Sequence, residues 1–205
     1  MEIRMFTTIG WYTKDTEYEK VMKEYLVPSV MKLNLPHVIY PVDSIGTWAQ
    51  NTNLKSRVIE QAFDEVDTDL LIVDADAIIH SYPKLLEEIP EEYDCAMFWL
   101  DWNEWYQNGS NVKELCSGTL YLRNRGICKE LVERWVKIGA TNNVTDQKAL
   151  AMTLPEFPDL KIYNLPYEYC WIHNLPGGRE TIVPRPDKIV IEHFQASRDI
   201  KRFIK

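Results

Sequence analysis

The stretch Asp69-Leu-Leu-Ile-Val-Asp-Ala-Asp-Ala-Ile-Ile-His80 decides how the rest of the chain is read. Leu70 to Val73 is an unbroken apolar run, and such runs usually belong to strands covered on both faces, as in parallel sheets flanked by helices. Asp74 and Asp76 follow at the carboxyl end of that strand, where open α/β sheets bind their ligands. Residues i and i+2 of an extended chain project to the same side, so both carboxylates can face one cation. Hard oxygen ligands of this kind suit Mg2+ or Mn2+, which commonly bridge to substrate phosphates. An Asp-x-Asp alone is weak evidence, because an acidic chain produces one by chance in a solvated turn. Its position behind an apolar strand, with Pro83 soon after, favours a site.

Working outward, Ile3 to Ile9 reads as a first strand that stops at Gly10. Tyr18, Val21, Met22, Tyr25 and Leu26 follow the spacing of a helix with one apolar face. Pro28 kinks or ends that helix. His37 to Val42 is a second strand, and Leu54, Val58, Ala62 and Phe63 form the inward face of a helix leading to the third. Cys95 to Leu100 and Leu115 to Leu122 are two further strands with a polar, aromatic loop between them. Ile127 to Ile138 and Asp146 to Leu154 are helices. The chain is irregular after Pro155, and Ile189 to Phe194 is a last short strand. This alternation predicts a βαβ-type α/β sheet. With no internal repeat or linker, residues 1–205 read as one domain.

The 205 residues can bury roughly 70% of their extended surface, so the core needs no disulfide or metal staple. A formal charge of −8 argues against a general nucleic-acid binder, which needs a basic face. Cys95, Cys116, Cys128 and Cys170 have neither Cys-x-x-Cys nor metal-ligand spacing and read as reduced thiols. The first residues lack the pattern of a signal peptide, and no apolar stretch approaches the ~20 residues of a membrane span. A soluble, cytoplasmic protein is the expectation.

On these motifs the sequence resembles the GT-A family of glycosyltransferases, whose Asp-x-Asp ends a central strand. The likeness includes Thr7-Thr8-Ile9-Gly10, Lys55 and Arg57 before the Asp-x-Asp, and Ser117-Gly118-Thr119-Leu120. It extends to Asp146-Gln147 opening a helix and to His193-Phe-Gln-Ala-Ser-Arg198 near the end. In that order the set is similar to short bacterial and viral enzymes related to glycogenin and the lipopolysaccharide galactosyltransferases. The resemblance implies a mixed, mainly parallel central sheet flanked by helices. It also implies a UDP-sugar donor such as UDP-glucose, a Mn2+ or Mg2+ ion, and a carbohydrate or glycoconjugate acceptor.

The resemblance also implies roles. Thr7, Thr8 and Tyr12 would border the nucleoside, and Lys55 or Arg57 would touch the donor. Asp74 and Asp76 would bind metal, Asp74 also reaching the ribose, with His193 as third ligand. Ser117, Gly118, Asp146 and Gln147 would face the donor sugar or its attacker. Asp146 would activate the acceptor in an inverting enzyme; in a retaining one Gln147 would only orient the sugar. Arg198 or Lys201 would meet the diphosphate, although this chain lacks the glycine of the relatives' ending and spaces its cations differently. Imidazole ligates only when neutral, so metal affinity should weaken as pH falls through ~6.5.

Plainer readings stand beside these. Asp146 or Thr145 could simply cap a helix, Lys55 and Arg57 could be solvated, and His193 could be a core histidine. His173 is assigned no role. In Trp99-Leu-Asp-Trp-Asn-Glu-Trp-Tyr106, Trp99 reads as core, while Trp102, Trp105 and Tyr106 are candidates for an acceptor subsite. Gly177-Gly178 has the flexibility of a lid. A haloacid dehalogenase-like phosphatase also uses Asp-x-Asp, but on its first strand. A sugar-nucleotide pyrophosphorylase would open with a Gly-rich basic loop. The non-enzymatic alternative is a nucleotide-sugar-binding module.

Overall fold

The computed structural model describes residues 6–173 and 183–197. The chain enters through β1 (Phe6–Thr13), turns back through α1 (Glu17–Glu24) and α2 (Leu26–Lys32), and lays β2 (His37–Val42) parallel to β1. Helices α3 (Trp48–Thr52) and α4 (Leu54–Glu65) lead to β3 (Asp69–Val73), parallel to β1 on its other side. Then come β4 (Ala77–Ile79), α5 (Leu85–Glu88), β5 (Cys95–Asp101), α6 (Trp102–Tyr106) and β6 (Lys113–Leu122). Helices α7 (Gly126–Thr141) and α8 (Asp146–Thr153) precede three short strands, β7 (Ile162–Asn164), β8 (Trp171–Ile172) and β9 (Ile191–His193).

Six strands form one mixed sheet in the order β2-β1-β3-β6-β5-β7. All neighbours are parallel except β6, which runs antiparallel to β3 and β5. A small second sheet, β4-β9-β8, sits beyond the end of β3. The apolar run of β3 is explained by its neighbours on both faces. Leu71 and Val73 pack with Met22, Leu26 and Val30 of α1 and α2, whereas Leu70 and Ile72 pack with Val58 and Ile59 of α4 and Trp135 of α7. Each side chain so buried contributes about 1.5–3 kcal/mol.

Three local readings change. Gly10 lies inside β1, not at its end: a Cβ there would stand 2.8 Å from both Ile39 Cδ1 and Leu26 Cδ2, so the glycine admits the close packing of β2 and α2. The break between α1 and α2 falls at Tyr25, and Pro28 occupies the first turn of α2, where no backbone N–H is needed. The segment between β5 and β6 holds a short helix, α6, started by the Asp101 carboxylate accepting from the Asn103 and Glu104 N–H groups. No helix among the described residues is long and apolar enough to cross a membrane. The four cysteines are free and buried.

Candidate functional site

Asp74 and Asp76 converge through a tight turn instead of by strand alternation. Val73 ends β3, and the Ala77 N–H donates to the Asp74 carbonyl at 3.1 Å, folding the motif back into β4. The Asp74 N–H is held by the Gly118 carbonyl at 3.0 Å. The second sheet supplies the third group. Ala77 is paired with His193 in the β4–β9 ladder, and the Asp76 carboxylate accepts from the Ala196 N–H at 2.7 Å. One ligand atom from each of Asp74, Asp76 and His193 lies within 4.8 Å of the other two. His193 Nδ1 stands 3.8 Å from Asp76 Oδ1, and its Nε2 is hydrogen-bonded to the Thr119 hydroxyl at 2.8 Å. Gly118 makes the room. A Cβ there would come within 2.9 Å of His193 Cε1 and 3.4 Å of Asp74 Oδ2.

Beside this trio lies a buried ionic network. Lys55, on the core-facing side of α4, places its ammonium 2.7 Å from Asp74 Oδ1 and 2.6 Å from Asp146 Oδ2. It also donates to the Ser117 carbonyl and hydroxyl. Ser117 Oγ donates to Asp146 Oδ2 at 2.9 Å, and the Ser117 N–H donates to Gln147 Oε1 at 3.2 Å. Thr145 caps α8, so the Asp146 carboxylate is left to turn inward. Asn53 holds the junction by donating to the Ala49 and Val144 carbonyls, and the Asp146 N–H donates to Thr52 Oγ1. The N-termini of α4 and α8 are thereby locked together.

Proton affinities record the charge balance. Burial alone would depress the Lys55 ammonium, but the Asp146 and Asp74 carboxylates outweigh it and hold Lys55 above its ordinary value. Enclosure pushes Asp74 up to about 6; Lys55 opposes this, while Asp76 and Asp146 add to it as like charges. Burial disfavours the His193 imidazolium, yet Cys170 and Asp76 raise it to about 10. With His193 protonated, three carboxylates face two cations, and when the imidazole gives up its proton to act as a ligand the excess grows to two negative charges. The donor set, the close spacing and the side-chain-free Gly118 all fit a hard divalent cation.

These groups open into a cleft of about 410 Å3 at the carboxyl ends of β1 and β3. Tyr12, Lys55, Asp74, Asp76, Ser117, Gly118, Asp146, Gln147 and His193 all line it. Thr7, Thr8 and Arg57 do not. Because β1 runs on to Thr13, its cleft residues are Trp11, Tyr12 and Thr13. Thr7 is hydrogen-bonded to Thr68 lower in the sheet, and Thr8 is fully buried. Arg57 lies about 200° round α4 from Lys55 and is exposed. Arg198, Lys201 and Gly177-Gly178 lie outside the described residues, although Ser197, next to Arg198, lines the cleft. Trp48, whose indole N–H donates to the Tyr18 hydroxyl at 2.9 Å, and Glu114 also line the cleft without having been singled out in the sequence. Trp105 is buried against Phe98 and Trp171.

No protein-family model matches the sequence, and no curated protein matches it either. Solved structures do match. A glycosyltransferase involved in glycosylation of the major capsid of PBCV-1 aligns over 98% of this chain and 100% of its own, with a TM-score of 0.65 and 13% identity. The apo form of mouse xyloside xylosyltransferase 1 aligns over 94% of this chain and 98% of its own, with a TM-score of 0.57 and 11% identity. The apo form of the glycosyltransferase GlyE from Streptococcus pneumoniae TIGR4 aligns over 93% of this chain at a TM-score of 0.59 and 15% identity. This chain spans about half of GlyE, covering 54% of it. The likeness is one of fold: the chain has the mixed α/β architecture of these glycosyltransferases, as the sequence resemblance implied.

Proposed function

We propose that this protein is a metal-dependent glycosyltransferase that moves a sugar from a nucleoside-diphosphate sugar to a carbohydrate or glycoconjugate acceptor. The observation that carries this reading is the convergence of Asp74, Asp76 and His193 at the end of β3, inside a cleft on a fold shared with glycosyltransferases. These residues would hold the cation, Mn2+ or Mg2+. Once bound, it supplies positive charge where the leaving diphosphate becomes negative, the electrostatic contribution that usually dominates such catalysis.

The chain's own residues divide the remaining work. Trp11, Tyr12 and Thr13 border the nucleoside, for which UDP is favoured by the sequence resemblance. Lys55 keeps Asp74 ionised and aligned while fixing Asp146. Asp146, already engaged by Lys55 and Ser117, orients the donor sugar together with Gln147. Arg198, following the cleft residue Ser197, is the cation proposed for the diphosphate, with Lys201 as the alternative. The test is nucleotide release from UDP-glucose, UDP-galactose and GDP-mannose with Mn2+ or with EDTA. UDP release that requires Mn2+ supports the reading, whereas no metal-dependent release from any donor overturns it.

A further inference from the structure

At the rim of the cleft, α6 and the start of β6 hold an indole, a phenol ring and a carboxylate in one chain of contacts. Trp102 is 36% exposed, yet its indole N–H donates to Glu114 Oε2 at 2.8 Å. Its ring meets Tyr106 edge-on, with centroids 5.8 Å apart and an interplanar angle of 81°. The backbone beneath is pinned by the Trp102 N–H donating to the Val112 carbonyl at 3.0 Å. Glu114 Oε1 accepts from Gln147 Nε2 at 2.8 Å, and Gln147 in turn accepts from the Ser117 N–H. An exposed ring is thus tied, through two side chains, to the residues that surround Lys55 and Asp74.

Resting on the glycosyltransferase reading, we propose that this rim is an acceptor subsite for a neutral glycan. The apolar C–H face of the acceptor sugar stacks on Trp102, and a hydroxyl of the same sugar donates to Glu114. Three observations lead there. First, Trp102 is held in place before any ligand arrives, so stacking on it costs little ordering entropy. Its amphipathic ring has an apolar face to offer. Second, Glu114 differs from the other cleft carboxylates. Asp74 and Asp146 share the Lys55 ammonium, whereas among the described residues Glu114 is engaged by neutral donors and by no cation. A carboxylate of that kind retains acceptor capacity for a hydroxyl. Third, the rim carries Asp101, Glu104 and Glu114 against Lys113, whose ammonium stands 3.9 Å from Asp101. Its net negative charge disfavours uronic or sulfated glycans.

The test uses a glycan array carrying neutral, uronic and sulfated saccharides, probed with the protein, UDP and Mn2+. Wild type should capture neutral glycans and leave the anionic ones. Trp102→Ala should weaken that capture by up to about ten-fold, the scale of one aromatic contact, while Trp102→Phe should retain most of it. In transfer to a captured glycan, Trp102→Ala should raise the acceptor KM and leave the nucleotide-sugar KM near wild type. Capture of anionic glycans instead, capture of none, or an acceptor KM unmoved by Trp102→Ala would overturn the subsite. Metal-dependent UDP release would survive each of those outcomes, so failure of the subsite is distinguishable from failure of the proposed function.

Discussion

Adjacent residues of β9 open onto two ionic clusters of opposite character. Glu192, 2% exposed, accepts from His80 at 2.8 Å and from His173 and Arg185 at 2.9 Å each. Burial alone would raise its proton affinity, but these three partners hold it below the ordinary carboxylate value. His193 looks instead into the cleft, where Asp74, Asp76 and Asp146 outnumber Lys55 and Asp74 is pushed up to about 6. A satisfied buried carboxylate belongs to the scaffold. One left in excess, with space before it, marks a place where charge is to be supplied.

Removing the shared cation should have the largest effect. Lys55→Met leaves Asp74 and Asp146 without their counter-charge, and breaking a buried pair from one side costs about 3–5 kcal/mol. A urea midpoint equal to wild type would show that the network contributes nothing to stability. Next is Asp76→Asn, which keeps an oxygen for the Ala196 N–H but deletes the charge. It should fold normally and lose at least ~10²-fold in sugar transfer, the scale for removing a transition-state charge stabiliser. Near-wild-type transfer at saturating metal and donor would contradict the metal assignment.

The scaffold cluster should respond in the opposite sense. Glu192→Gln should cost about 1–3 kcal/mol of stability, as expected for a disturbed buried hydrogen-bonded group, and keep metal-dependent nucleotide binding. Loss of metal binding at unchanged stability would erase the distinction between the two clusters. The smallest effect is that of pH. Ligation needs Asp74 ionised and His193 neutral, and their metal-free values are raised to about 6 and about 10. Protons therefore compete with the metal, and Mn2+ affinity measured by calorimetry should rise with pH through 6 and keep rising above neutrality. The window extends upward from the ~6.5 expected of an isolated imidazole, because Cys170 and Asp76 surround His193. Affinity independent of pH between 5.5 and 8 would remove both groups from the ligand set.

What was legible in the sequence followed from patterns with a local cause. The apolar run of β3 announced a strand buried on both faces, and the two aspartates behind it line the cleft. Which strand runs antiparallel was not legible. β5 is nearly as apolar as β3, and β6 is largely buried from Leu115 onward, but burial says nothing about which way a strand runs. Lys55 carried a signal in its phase, three and seven residues before Val58 and Ala62 on the core-facing side of α4, where a lysine needs carboxylates. Glu192 and His193 are both buried although neighbouring strand residues point to opposite faces, because each meets its own partners: His80, His173 and Arg185 for Glu192, Thr119 and Asp76 for His193. Trp48 and Glu114 had no such pattern. Their place at the cleft depends on how α3 and β6 pack, which no periodicity records.

The most direct test of the account is calorimetric titration of the protein with UDP, once with Mn2+ and once with EDTA. The excess of carboxylates in the cleft predicts that the metal makes binding possible, because the diphosphate would otherwise confront Asp74 and Asp76 with no bridging charge. With metal and UDP at 100 times its dissociation constant, the folded state should gain about 2.7 kcal/mol, and that gain should vanish in EDTA. Equal UDP affinity in Mn2+ and in EDTA would contradict the account.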